Sequence, residues 1–229
     1  MAAPEPQPDR LYGRRRGHAL RPRQQRLIDL TLPRLDPTPI LPDPRGGFGL
    51  PEVWLEIGFG GGEHVLAQVE ANPRSGLIAC EVFENGICSL LSRLVPEGAD
   101  EATAKLPANL RVWPHDAREL LRRLPAGALD RAFLLFPDPW PKARHAKRRF
   151  VHPDNIAELA RVLRPGGEWR IASDHPVYQD WTAEALAAQT DFRIVAMTDT
   201  RPEGWPGTRY EAKAVREGRH PRWWSLIRT

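Results

Sequence analysis

From Val53 onward, short apolar runs alternate with segments of helical spacing, and that alternation leaves few folds open. Val53–Phe59 (VWLEIGF), Leu77–Val82 (LIACEV), Leu110–Trp113, Ala128–Phe136 (ALDRAFLLF) and Glu168–Ala172 (EWRIA) read as strands. Their near-continuous apolar character is that of strands buried on both faces. Glu63–Ala71, Glu84–Val95, Ala117–Leu124, His152–Leu163 and Pro176–Thr190 carry helical spacing. Strands and helices in turn predict an α/β fold, a largely parallel sheet with helices on both faces. Phe192–Met197 and Thr208–Val215 read as two further strands. They lie so close together that the last is expected to enter antiparallel.

A chain of 229 residues fits one domain with an appendage. The break is expected near residue 50: a basic, proline-rich arm over 1–50 and one domain over 51–229. MAAPEPQPDR has almost nothing to bury and reads as disordered. Arg21–Leu32 reads as a short helix or a docked arm, and Pro33–Pro51 carries too many prolines and glycines for regular structure. No run approaches the ~20 apolar residues of a membrane helix, and no apolar stretch follows the basic N-terminus as a secretory leader requires. Cys80 and Cys88 are the only cysteines, too few for a disulfide scaffold or a four-cysteine zinc site, and no metal is expected. A cytoplasmic protein is the reading that remains.

The formal net charge is only +4, but the charge is unevenly placed. Arg10–Arg34 holds 8 basic residues, Lys142–Arg149 holds 5 and Lys213–Arg228 holds 5, with only Asp29 and Glu217 opposing them. The rest of the chain is strongly acidic. An acidic body with three basic strips reads as a surface built to meet phosphates.

In a parallel sheet of this kind, ligands bind beyond the carboxyl ends of the strands. Strand one is followed by Gly58-Phe59-Gly60-Gly61-Gly62, where Gly58 and Gly60 permit a tight turn and close approach of a ligand. A dinucleotide loop would require glycine at position 63. Glu63 stands there, and its carboxylate would repel a pyrophosphate. With Glu56 just ahead of the glycines, a cationic ligand without phosphates fits better, and S-adenosylmethionine is such a ligand. Glu81 closes strand two and can accept from two ribose hydroxyls. Asp116 can accept from an adenine amino group or cap the following helix. After strand four, FPDPWPKARHAKRRF stiffens the chain with three prolines around Asp138 and Trp140, then adds five cations. Ser173-Asp174-His175 and Thr208-Arg209-Tyr210-Glu211 complete the rim. Trp223-Trp224 reads as core packing before it reads as a stacking platform.

Taken in order, LEIGFGGG, ACE, HDA, FPDPWPKARHAKRRF, RPGGEWRIASD and TRYE resemble the bacterial tRNA (guanine-N7)-methyltransferases over residues 53–215. The resemblance implies a Rossmann-like class I methyltransferase domain: seven strands, mostly parallel, the last antiparallel. It implies S-adenosylmethionine as cofactor, tRNA as partner, and N7 of the variable-loop guanine, position 46, as target. Glu56, Gly58, Gly60, Glu81, Asp116 and Asp138 would form the cofactor site, with Asp138 also catalytic. Lys142, Asp174, Thr208, Arg209, Tyr210 and Glu211 would contact the substrate. Two features depart from the pattern: Gly61 stands where relatives often carry methionine, and the terminal HPRWWSLIRT matches no family motif.

Overall fold

The computed structural model describes residues 15–229, so the expectation of disorder over MAAPEPQPDR lies outside the described residues. Among the described residues, seven strands form one sheet: β1 Glu52–Ile57, β2 Ser75–Cys80, β3 Leu110–Trp113, β4 Leu129–Leu135, β5 Leu163–Ser173, β6 Phe192–Thr198 and β7 Arg222–Arg228. Their spatial order is β3-β2-β1-β4-β5-β7-β6. The pairs β1–β2, β1–β4, β2–β3 and β4–β5 are parallel, and β7 runs antiparallel to both β5 and β6. Among the same residues, eight α-helices accompany the sheet: α1 Pro22–Arg26, α2 Pro44–Phe48, α3 Glu63–Ala71, α4 Glu84–Leu94, α5 Ala117–Arg123, α6 Pro153–Val162, α7 Pro176–Ala187 and α8 Arg209–Arg216.

The alternation inside β1 shows why its sequence is apolar throughout. Val53, Leu55 and Ile57 enter a core with Leu120 and Leu121 of α5 and Ile156 and Leu159 of α6. Trp54 enters the opposite core with Val65 of α3 and Leu90 and Leu91 of α4. Side chains alternate across a strand, so burial on both faces requires the continuous apolar pattern. Leu27 and Leu35, from the proline-rich region, are also buried in this second core. Several short turns, including the 3₁₀ segments Leu32–Leu35 and Thr38–Ile40, order this region against the sheet.

Two expectations about the C-terminal part are corrected. Thr208–Val215 is not a strand: Thr208 caps α8, its hydroxyl accepting from the Glu211 N–H at 3.1 Å. The spacing Thr208-x-x-Glu211 is the sequence signature of a helix start, and here it outweighs the alternation that suggested a strand. The seventh strand is instead Arg222–Arg228, drawn from the terminal segment that matched no motif. Trp223 and Trp224 pack inward from it, at 5% and 1% exposure.

The order of strands reverses direction between β1 and β4. The carboxyl ends of β1, β2 and β4 therefore surround the switch point where such sheets hold ligands.

Candidate active site

β1 ends in a loop whose glycines are required by its backbone. Gly58, Gly60 and Gly62 have φ of +73°, +58° and +82°, in the left-handed region that side chains resist. A Cβ on Gly58 would meet nothing within 4 Å, so the space in front of this residue is open. At Gly60 a Cβ would lie 2.5 Å from the Tyr210 Oη, so α8 comes down directly onto the loop.

Glu81, just after β2, holds this loop in place. One carboxylate oxygen accepts from the Gly60 N–H at 2.7 Å, and the other from the Val82 and Phe83 N–H groups at 2.8 and 2.9 Å. Burial pushes the Glu81 carboxyl above the usual carboxylate range, opposed by those three N–H groups and reinforced by the charge of Asp138.

A cavity of about 150 Å³ brings together Gly58, Glu81, Asp116 and Ala117, with Arg148 and Asn155 on its other wall. Asp116 caps α5 by accepting from the Arg118 N–H at 2.9 Å, and the Arg118 guanidinium grips the same carboxylate at 2.6 Å. Glu56 does not line this cavity. It sits below the loop on the α3 side, 2% exposed, with the His64 Nδ1 at 2.7 Å from its carboxylate. Alternation along β1 turns residue 56 into the sheet's α3 face. The open space at Gly58 lies beside Glu81 and Asp116, in a cavity that Lys147, Arg148 and Arg149 also line.

Asp138 projects, exposed, from the loop after β4. Two non-glycine residues flank it in left-handed conformations, Phe136 at φ +53° and Trp140 at φ +42°. Such backbone costs about 1–3 kcal/mol per residue and persists only where the surroundings enforce it. Arg149 supplies part of that enforcement. It is 5% exposed and donates to the Pro139 and Trp140 carbonyls at 3.2 and 2.9 Å. The reading of Lys142–Arg149 as a run of outward-facing cations is therefore corrected at its last member.

A second cavity, about 260 Å³, is lined by Asp138, Asp174, His175, Tyr210, Lys213 and Arg219. Asp174 is held by the Arg219 Nε at 2.6 Å. Within the TRYE segment the roles divide. Tyr210 and Arg209 face the glycine loop, the Arg209 guanidinium donating to the Tyr210 hydroxyl at 3.1 Å and lying 3.8 Å from Glu63. Thr208 caps α8, and Glu211 pairs with Arg201 at 3.2 Å. Lys142 stands exposed at the start of the 3₁₀ turn Ala143–Arg148 and lines neither cavity.

Sequence reasoning missed Arg149 and Arg219 as site-building residues. Each sits among other cations, and nothing in a cation-rich run marks which member turns inward. His175 adds a third feature: its Nδ1 is buried with no hydrogen-bond partner among the described residues.

The model of a family described as "Putative methyltransferase" matches residues 51–222. A tRNA (guanine-N(7)-)-methyltransferase of Granulibacter bethesdensis is 67% identical over 222 residues, covering 97% of this chain and 96% of that protein. One of the same name from Rhodospirillum rubrum is 47% identical over 228 residues, covering 93% and 85%. Among solved structures, the 16S rRNA methyltransferase KamB superposes with a TM-score of 0.58 at 18% identity, over 81% of this chain and 90% of that one. A mutant 16S rRNA (adenine(1408)-N(1))-methyltransferase from Catenulisporales acidiphilia, solved with cosubstrate SAM, gives 0.52 at 15% identity, over 85% and 92%. These structural likenesses establish the fold.

Proposed function

The chain belongs to the tRNA (guanine-N(7)-)-methyltransferase family, and from that premise we propose that it methylates N7 of the guanine at position 46 in the tRNA variable loop, using S-adenosylmethionine. The observation that carries the site assignment is the placement of Glu81 and Asp138 after β2 and β4, on either side of the open glycine loop. S-adenosylmethionine, when bound, supplies an electrophilic methyl group on a sulfonium. Gly58, Glu81 and Asp116 would hold its nucleoside part, and Glu56 would act from beneath the loop through the residues above it.

Guanine N7 carries a lone pair and no proton, so no residue has to serve as general base. The task left to the protein is alignment and the placing of anions where positive charge develops on the purine. Asp138, exposed at the cavity mouth on an over-determined loop, is suited to both. Asp174 and Tyr210 line the same cavity, Arg209 lies against the Tyr210 hydroxyl, and Thr208 and Glu211 hold α8 in place. The N7 edge of the target is engaged in tertiary contacts of folded tRNA, and extruding the base costs a few kcal/mol. Lys142, with Arg144 and Lys147, is placed to offset that cost through phosphate contacts. The same proposal treats residues 1–50 as an arm on a methyltransferase domain of residues 51–229, docked through Leu27 and Leu35, and assigns the enzyme to the cytoplasm with its tRNA.

The test combines purified protein, methyl-labelled S-adenosylmethionine and bulk tRNA lacking the modification, followed by nuclease digestion. Label in N7-methylguanosine from the variable loop is the expected result. Label on another base would overturn the target, and absence of label with tRNA still bound would overturn the activity.

A further inference from the structure

We propose that Arg149 is the positioning residue for Asp138, and that its contribution to tRNA methylation is to hold the loop rather than to bind phosphate. The proposal rests on the reading of Asp138 given above. Asp138 lies between two left-handed residues, Phe136 and Trp140, and between two prolines that lack N–H groups. A loop so built leaves carbonyls turned inward and cannot hold its shape through its own hydrogen bonds. The Arg149 Nε and Nη2 take the carbonyls of Pro139 and Trp140, immediately after Asp138.

Arg149 also lines the cavity beside Gly58 and Glu81, and its setting is costly unless its N–H groups are taken up. It is 5% exposed, and among the described residues no carboxylate lies within ion-pair distance of it. Burying a guanidinium without a counter-charge is unfavourable. Its compensation comes from the two loop carbonyls and from the face of Trp181, 4.8 Å away. Trp181 belongs to α7, which begins two residues after Asp174. One side chain thereby ties the Asp138 loop to the helix that follows Asp174, and both carboxylates line the same cavity. Lysine could not reproduce this, because its ammonium lacks the planar fork that serves two carbonyls and a ring at once.

The test uses Arg149→Lys and Arg149→Gln, with Trp181→Leu as a variant that leaves residue 149 intact, and Asp138→Ala as reference. Circular dichroism and a cooperative thermal transition establish that each is folded. For Arg149→Lys we expect kcat to fall about ten- to a hundredfold, the scale of a small misplacement. KM for tRNA and its salt dependence should stay within about twofold of wild type. Amide exchange of the peptide spanning 136–149 should accelerate. In the Asp138→Ala background the same substitution should cost nothing further, since residues acting as one unit are non-additive. Trp181→Leu should move kcat and exchange the same way, by less. Three outcomes would overturn the proposal. A raised KM with a flattened salt dependence would make Arg149 a phosphate contact. Additive losses in the double variant would make its role merely structural. Unchanged exchange would mean that it does not hold the loop. If Asp138→Ala itself keeps its kcat, the reading of Asp138 fails, and unchanged or accelerated exchange still decides whether Arg149 holds the loop.

Discussion

Lys142, Arg144 and Lys147 stand exposed on the segment after β4, with no carboxylate among the described residues within ion-pair distance. Arg219, Arg222 and Arg228 come from a strip of comparable sequence, yet the chain's own oxygens already hold them. Arg219 is bound by Asp174 and Glu217, Arg222 by Asp199 at 2.8 Å, and Arg228 by the Leu163 carbonyl. Three described residues of the N-terminal strip are held likewise: Arg23 donates to the Val95 carbonyl, Arg26 pairs with Glu101, and Arg34 donates to the Ala104 carbonyl. Among the described residues, cations of the three strips thus serve two purposes. Those named from the outer strips hold segments of the chain to one another, and Lys142, Arg144 and Lys147 of the middle one stand exposed. Charge density along a sequence does not distinguish a cation that binds a partner from one that binds its own fold.

The largest effect expected from this division concerns the residue that the middle region presents. Asp138→Ala should lower kcat by about 100- to 1000-fold, the range for removing one preorganised electrostatic group. Affinity for tRNA should change little. A large loss of affinity with turnover preserved at saturation would move Asp138 from chemistry to binding. Next in size, Arg144→Ala with Lys147→Ala should raise KM for tRNA. It should make the dependence of log affinity on log salt shallower by about 1.5, since each phosphate contact contributes roughly 0.7–0.9 to the slope. Arg222→Ala is the sharpening control: its partner is Asp199, so the slope should not move. A shallower slope in Arg222→Ala would erase the contrast between the two strips.

The contrast also separates what was legible in the sequence from what was not. β1 to β5 and the helices between them could be read because burial on both faces leaves no polar option along a strand, as Val53, Trp54 and Leu55 show. The positions of the glycine loop, Glu81 and Asp138 after β1, β2 and β4 were legible because a parallel sheet places strand ends together. Beyond residue 200 two patterns competed. Thr208-x-x-Glu211 marked a helix start, and the alternation over the same residues suggested a strand; the cap prevailed. The true last strand was obscured because its register depends on pairing with both β5 and β6, contacts far apart in sequence. Glu56 and Arg149 were illegible for a simpler reason. Which way a side chain turns, toward His64 in one case and toward two carbonyls in the other, depends on partners that one-dimensional spacing does not reveal. Thr208→Ala tests the helix reading directly. Loss of the cap should cost about 1 kcal/mol, lowering Tm by about 2–4 °C for a chain of this size. An unchanged Tm would remove the cap as the reason that this segment is helical.

The smallest effect extends the comparison from cations to carboxylates. Asp116 and Asp174 are already ion-paired within the chain, whereas among the described residues Glu81 accepts from backbone N–H groups alone. Burial first, and then the charge of Asp138, raise the Glu81 carboxyl above its ordinary value of 4.5. A carboxyl raised in this way still carries its proton in the folded protein at pH values where the unfolded chain has lost it. It therefore favours the folded state at low pH, and that contribution fades as pH rises through the folded value. A cation bound beside Glu81 stabilises the ionised form, so binding releases the proton. Affinity for a cationic nucleoside should accordingly rise with pH from about 4.5 and level off once the raised value is passed. Titration calorimetry in buffers of different ionisation enthalpy measures both the affinity and the proton released. S-adenosylmethionine, which adds a sulfonium to the ammonium of S-adenosylhomocysteine, should show the steeper rise if Glu81 and Asp138 face the sulfonium. Glu81→Gln should flatten both curves. Equal slopes for the two ligands would place the paired carboxylates near the ammonium instead, and no slope for either would separate Glu81 from the ligand's charge altogether.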